Sequence, residues 1–87
     1  MLYNRDPRLA NILMDLLRCE QGLVVGDNEP YRLNDESDYT IPVHGERRDL
    51  RHVEIEIRQD LIADEAGQRR WADLFAQLLP QAYQRLL

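Results

Sequence analysis

Apolar residues at Leu9, Ile12, Leu13, Leu16 and Leu17 recur at spacings of three and four, which predicts an amphipathic helix with one buried stripe. Asp6-Pro7 starts it, because Asp accepts hydrogen bonds from free backbone N–H groups and proline at the first helical position loses no needed donor. Gly22 marks its expected end. Leu23-Val24-Val25 is a short apolar run opening into Gly26-Asp27-Asn28, the pattern of a buried strand followed by a loop. From His52 the pattern changes to strict alternation: Val53, Ile55 and Ile57 face one way, and His52, Glu54, Glu56 and Arg58 the other. A featureless connection between these runs would be too long for a compact domain, so a short helix is expected from Thr40, with Pro42 in its first turn and an exit near Asp49. After Asp64-Glu65 a second long helix carries Trp71, Leu74, Phe75, Leu78, Leu79, Ala82 and Leu86 at helical spacing. These positions are expected to be packing residues, with Pro80 kinking or dividing the helix.

The order is therefore helix, strand, short helix, strand, helix. Two strands joined by a crossover run parallel, so the predicted fold class is α/β. Residues 1–87 form a single partial domain, one edge of a layered α/β/α arrangement. Ligands of open parallel sheets gather at the carboxyl ends of the strands, which makes Asn28, Glu29, Glu56 and Arg58 candidates to converge. By pattern alone Glu56 reads equally well as a solvent-facing strand residue. Glu54 reads as solvated or ion-paired.

Composition narrows the functional classes. With 44% hydrophobic and 31% charged residues the chain should form a core. The net charge of −5, with acidic clusters at Asp27/Glu29 and Asp35/Glu36/Asp38, argues against nucleic-acid binding. All 11 basic residues are Arg, which first reflects genomic composition bias and only secondarily a preference for bidentate carboxylate binding. Cys19 has no internal disulfide partner and is expected to be a small buried hydrophobe. The chain carries neither a membrane-span pattern nor a signal-peptide pattern, and a cytoplasmic setting is expected.

Tyr39-Thr-Ile-Pro-Val-His-Gly-Glu-Arg-Arg48 and His52-Val-Glu-Ile-Glu-Ile-Arg-Gln-Asp-Leu61, with Gly26-Asp-Asn-Glu-Pro-Tyr31 and Asn34-Asp-Glu-Ser-Asp-Tyr-Thr40, carry a resemblance. Together they resemble the carboxyl-terminal portion of the N-formylglutamate amidohydrolase family, from about Leu2 to the last helix. The resemblance implies a zinc-dependent amidohydrolase of histidine degradation that releases formate and L-glutamate from N-formyl-L-glutamate. It also implies a zinc-hydrolase-like fold whose zinc ligands lie upstream of this chain. Within this chain, two histidines and one cysteine without ligand spacing do not make a zinc site.

By the same resemblance Glu56 is the general acid/base. His44 polarises the scissile carbonyl, beside the bland alternative of a surface or packed histidine. Arg58 either grips a substrate carboxylate or forms a structural ion pair, and Asn28 and Arg32 are further candidates for gripping an N-acyl amino acid substrate. One departure stands between Arg48 and His52, where Asp49-Leu50-Arg51 replaces the family's more usual Gly-Leu-Pro turn and loosens the expected placement of Glu56. Two other readings remain open. One is a truncated, non-catalytic module that needs a partner chain or self-associates, and the other is a zinc amidase, resembling cell-wall amidases, with another N-acyl substrate.

Overall fold

Two aspartates start the two long helices of this chain, whose computed structural model describes residues 1–20 and 22–87. Helix α1 spans Arg8–Arg18. Asp6 accepts the Arg8 N–H at 3.1 Å, so it supplies the expected cap, although Pro7 occupies the N-cap and not the first helical turn. The helix closes earlier than Gly22: Cys19 and Glu20 donate three residues back, to Leu16 and Leu17, tightening the last turn. Cys19 is exposed there and not buried: it is the C-cap of α1, past the last turn that packs on the core, and its thiol donates to the Asp15 carbonyl at 3.4 Å.

Helix α2 spans Glu65–Leu86. Its N-cap Asp64 accepts the Gly67 N–H at 2.7 Å. Gly67 is required by a close approach, since a Cβ there would lie 2.2 Å from the Leu61 carbonyl oxygen. Pro80 neither divides nor ends the helix. Packing of Leu78 and Ala82, one on each side of it, against α1 outweighs the missing hydrogen bond. The Gln81 side-chain amide donates to the Gln77 carbonyl at 3.2 Å in the same turn.

The core lies between the two helices. Ala10, Leu13, Met14, Leu16 and Leu17 of α1 are buried against Leu78 and Ala82 of α2. Leu23, Val25, Val53 and Ile55 are laid over the edges of that cluster, as are Trp71, Leu74 and Phe75. A second small cluster of Leu2, Leu33 and Ile41 ties the amino-terminal segment to the middle of the chain.

The predicted α/β class is wrong. Among the described residues the chain is helical, with no β-strand and no sheet. Where parallel strands were expected there is one isolated antiparallel bridge, Leu2 with Glu54, made by N–H···O bonds of 2.8 and 2.9 Å. The physical reason is visible at Val24, which is fully exposed while Leu23 and Val25 rest on the helical core. An extended segment crossing a helix pair alternates inward and outward just as a strand does. Alternation therefore records which side faces the core and not whether a backbone partner exists.

The expected short helix does form, but as a π-helical segment, Thr40–Glu46. Arg47 N–H donates to Pro42 and Leu50 N–H to Gly45, each five residues back. Tyr39, not Thr40, is its N-cap. Asp49 takes up the left-handed conformation with φ 52°, the geometry that a glycine would adopt freely. Gly45 allows close packing, because a Cβ there would lie 2.8 Å from the His52 ring. A 3-10 turn, Gln59–Leu61, then leads into α2.

Candidate functional site

The segment after the bridge at Glu54 runs along one wall of an open crevice of about 410 Å³. Residues 22–26 form the opposite wall, and Arg70, Trp71 and Phe75 of α2 form the floor. Asn28, Glu29, Glu56 and Arg58 were expected to converge, but the loop after Val25 brings only Gly26 to this crevice, and neither Asn28 nor Glu29 lines it. Glu56 and Arg58 line it, whereas His44, Asn28 and Arg32 do not.

Glu56 is exposed and its carboxylate accepts a hydrogen bond from the Tyr31 hydroxyl at 3.1 Å. That bond raises the Tyr31 pKa above its ordinary value, since loss of the phenolic proton would place two negative charges side by side. Glu54 is half-buried beneath the bridge. Burial, chiefly, with repulsion from Glu56 and Asp38, pushes its pKa up. Arg58 donates through Nε to Asp60 at 2.5 Å, an exposed ion pair that holds its guanidinium beside the 3-10 turn.

The remaining candidates are placed elsewhere. Asn28 is buried with φ 54°, its side-chain oxygen accepts the Tyr3 N–H at 3.0 Å, and its own N–H donates to the Met1 carbonyl at 3.0 Å. Its amide oxygen thus ties the loop to the amino-terminal segment. His44 is exposed on the π-helical segment, edge-on to Tyr39 with ring centroids 5.4 Å apart. Arg32 is exposed and forms no ion pair with a described residue.

Sequence reasoning overlooked Tyr31, Arg70 and the second role of Trp71. Tyr31 stood inside a quoted motif, Gly26–Tyr31, but nothing in its spacing announced a partner 25 residues away. Trp71 lies on the predicted apolar stripe, yet it is only half-buried because it borders the crevice.

No group of three His, Cys, Asp or Glu side chains among the described residues could hold a metal ion. The residues present therefore do not fit the zinc centre that the family resemblance implies. No helix among them is long and apolar enough to cross a membrane.

Two carboxyl groups shift in opposite directions, which sets a pH expectation. The Asp6 carboxyl is held well below the usual range by its hydrogen bonds from Arg8, despite partial burial. Its contribution to stability is present above the unfolded value near ~3.9 and is lost as pH falls toward the folded value. Glu54, raised in the folded state, acts in the opposite sense. The fold favours its protonated form, so stability declines as pH rises from the unfolded value near ~4.3 through the folded value. Glu54→Gln should therefore raise the thermal midpoint relative to the parent more at about pH 7 than at about pH 4. Melting curves at both values check this, and an equal change at the two would contradict it.

The family comparison bears on the same segment. A family model described as N-formylglutamate amidohydrolase matches residues 1–63, which contain Tyr31, Glu54, Glu56 and Arg58 but none of α2. Because it begins at residue 1, the match does not itself make the chain a carboxyl-terminal portion, and it stops short of the last helix that the resemblance was expected to reach. No curated protein and no solved structure matches the chain.

Proposed function

Because the chain belongs to the N-formylglutamate amidohydrolase family, we propose that it serves hydrolysis of the linear amide bond of N-acyl amino acids, with N-formyl-L-glutamate as the reference substrate. Water cleaves the C–N bond, and formate and L-glutamate leave. The observation that carries this reading is the family match across the very segment that brings Tyr31, Glu56 and Arg58 to one side of the fold.

In this proposal Glu56 takes a proton from the attacking water and delivers it to the departing amine nitrogen. The Tyr31 hydroxyl fixes one carboxylate oxygen, leaving the other free for the proton. Arg58, once released from Asp60, is a bidentate partner for the substrate carboxylate, with Arg32 as a second exposed guanidinium. His44 lies outside the crevice that Glu56 lines, so this reading gives it no part in the cleavage. Asn28 keeps its place in the loop. Zinc enters only as a cofactor held by groups beyond the described side chains, and no step is assigned to it.

The test is formate release from N-formyl-L-glutamate by the purified protein, with and without added zinc. Steady release proportional to protein concentration supports the proposal. Its absence under both conditions favours a second reading, a non-catalytic module that works bound to a partner chain. The lack of a three-donor metal group among the described residues favours that reading.

A further inference from the structure

Met1 and Leu2 lie between the two walls of the crevice, at one end of it. The Met1 amine donates to the Gly26 carbonyl at 3.2 Å and the Met1 carbonyl accepts the Asn28 N–H at 3.0 Å, the bonding pattern of a parallel pair. On the other side Leu2 exchanges both backbone bonds with Glu54, an antiparallel pair. The crevice continues this line on the amino-terminal side of Met1, between residues 22–26 and 55–58. There no hydrogen bond joins the backbone of residues 23–25 or 55–57 to any other described residue, and Val24 is fully exposed. Two unpaired backbone edges bordering one gap are a template for a single added strand.

The two pairings that Met1 and Leu2 make fix the register of such a strand. Counting back from Met1, the second position falls between Val25 and Ile57, the third between Val24 and Arg58, and the fourth beside Leu23. Leu23, Val25 and Ile55 rest on the helical core, whereas Val24, Glu56 and Arg58 are exposed. Side chains alternate between the faces, so the second and fourth positions look inward over Trp71 and Phe75 and call for apolar residues. The third looks outward beside Arg58 and suits a carboxylate. Asp60 already pairs with Arg58 in solvent, so this charge contributes less than backbone pairing and apolar burial.

We infer that this crevice receives an extended segment of a partner polypeptide, of the pattern apolar, acidic, apolar, which adds as a strand parallel to residues 22–26 and antiparallel to residues 55–58. A second copy of this chain carries that pattern at Ile55-Glu56-Ile57, but the segment is a wall of its own crevice with Ile55 packed on the core, so it is not free to be donated. The inference goes beyond the hydrolase reading and does not depend on it. The added strand fills the gap between the walls and leaves the Glu56 and Arg58 side chains on its outer face.

The probe is the peptide acetyl-Thr-Val-Glu-Val-amide, whose two valines take the inward positions and whose end stops short of Met1. Trp71, the only tryptophan of the chain, lies on the crevice floor, and its fluorescence reads occupancy. Titration should give a saturable change by ~1 mM peptide. Methylation of the last valine's nitrogen, which in this register donates to the Val24 carbonyl, leaves every side chain in place and should weaken binding by ~10-fold or more. Val24→Pro removes the N–H offered to the first valine's carbonyl and should weaken binding similarly, whereas Val24→Thr keeps that N–H and should bind as the parent does. Lysine in place of the peptide's glutamate should weaken binding by ~3-fold. Unchanged circular dichroism verifies the fold of each variant.

Absence of a saturable signal overturns the inference, as does binding indifferent to the methyl group, or equal binding of the glutamate and lysine peptides. Sedimentation of the protein alone supplies the remaining arm: a dimer that Val24→Pro abolishes would assign the gap to a second copy and overturn the partner strand. Because the methylated peptide tests backbone pairing on the unaltered protein, the outcome stands even where Val24→Pro fails to fold.

Discussion

Replacing Glu56 by Gln is expected to lower turnover of N-formyl-L-glutamate by ~10²- to 10⁴-fold, the range typical for loss of a general acid/base. The exchange keeps the size and shape of the side chain, and the amide oxygen can still accept the Tyr31 hydroxyl. What it removes is the ability to take and return a proton. Because Glu56 is exposed and lies outside both buried clusters, the stability of the variant should stay within ~0.5 kcal/mol of the parent. Tyr31→Phe separates positioning from proton transfer. It should cost less in kcat than Glu56→Gln, because the carboxylate keeps its ability to exchange a proton and loses only the hydrogen bond that orients it. Turnover of Glu56→Gln within a factor of a few of the parent would end the acid/base assignment.

The second large effect concerns the helix pair. Leu13→Ala is expected to destabilise the fold by ~2–5 kcal/mol. Leu13 is fully buried where α1 meets Leu78 and Ala82 of α2, so its removal leaves a cavity bounded by two rigid helices. A domain of this size holds only a few kcal/mol in reserve, at the lower end of the usual ~5–15 kcal/mol, so the variant should be largely unfolded at 37 °C. Leu79→Ala is the control. Leu79 lies in the same stretch of α2 but is 44% exposed, and its truncation should cost below ~1 kcal/mol. Urea unfolding of the three proteins provides the comparison. Equal losses for Leu13→Ala and Leu79→Ala would mean that α1 and α2 do not pack through this stripe.

Both helices were legible in the chain because their signals are local. The stripe from Leu9 to Leu17 and the apolar spacing after Asp64-Glu65 act over three or four residues, and the structure places both helices there, apart from the early end of α1. The strands were misread for an equally physical reason. Val53, Ile55 and Ile57 alternate with charged residues, but the backbone at Glu54 finds its partner at Leu2, and only for one residue pair. Pro80 was misread because a local penalty was weighed without the packing of Leu78 and Ala82 that offsets it.

The candidate site divides along the same line. Arg58 and Asp60 pair two residues apart, an arrangement that one of the two readings of Arg58 had allowed. The bond from Tyr31 to Glu56, and the use of Asn28 to hold Tyr3, join residues 25 positions apart and leave no periodic trace. Trp71 was correctly placed on an apolar stripe, but a stripe specifies an inward side and not what lies beyond it.

From residues alone come the two helices, their starts, the turn after Thr40 and the family of the segment holding Glu56, since each rests on short-range backbone preference or on residue identity. Tertiary packing decided that the extended segments form no sheet, that Asp49 and Asn28 take left-handed turns, and that Glu56, Arg58, Arg70 and Trp71 share one crevice. Those outcomes depend on which distant surfaces α1 and α2 leave uncovered once their own apolar stripes have met, and no local pattern encodes that competition.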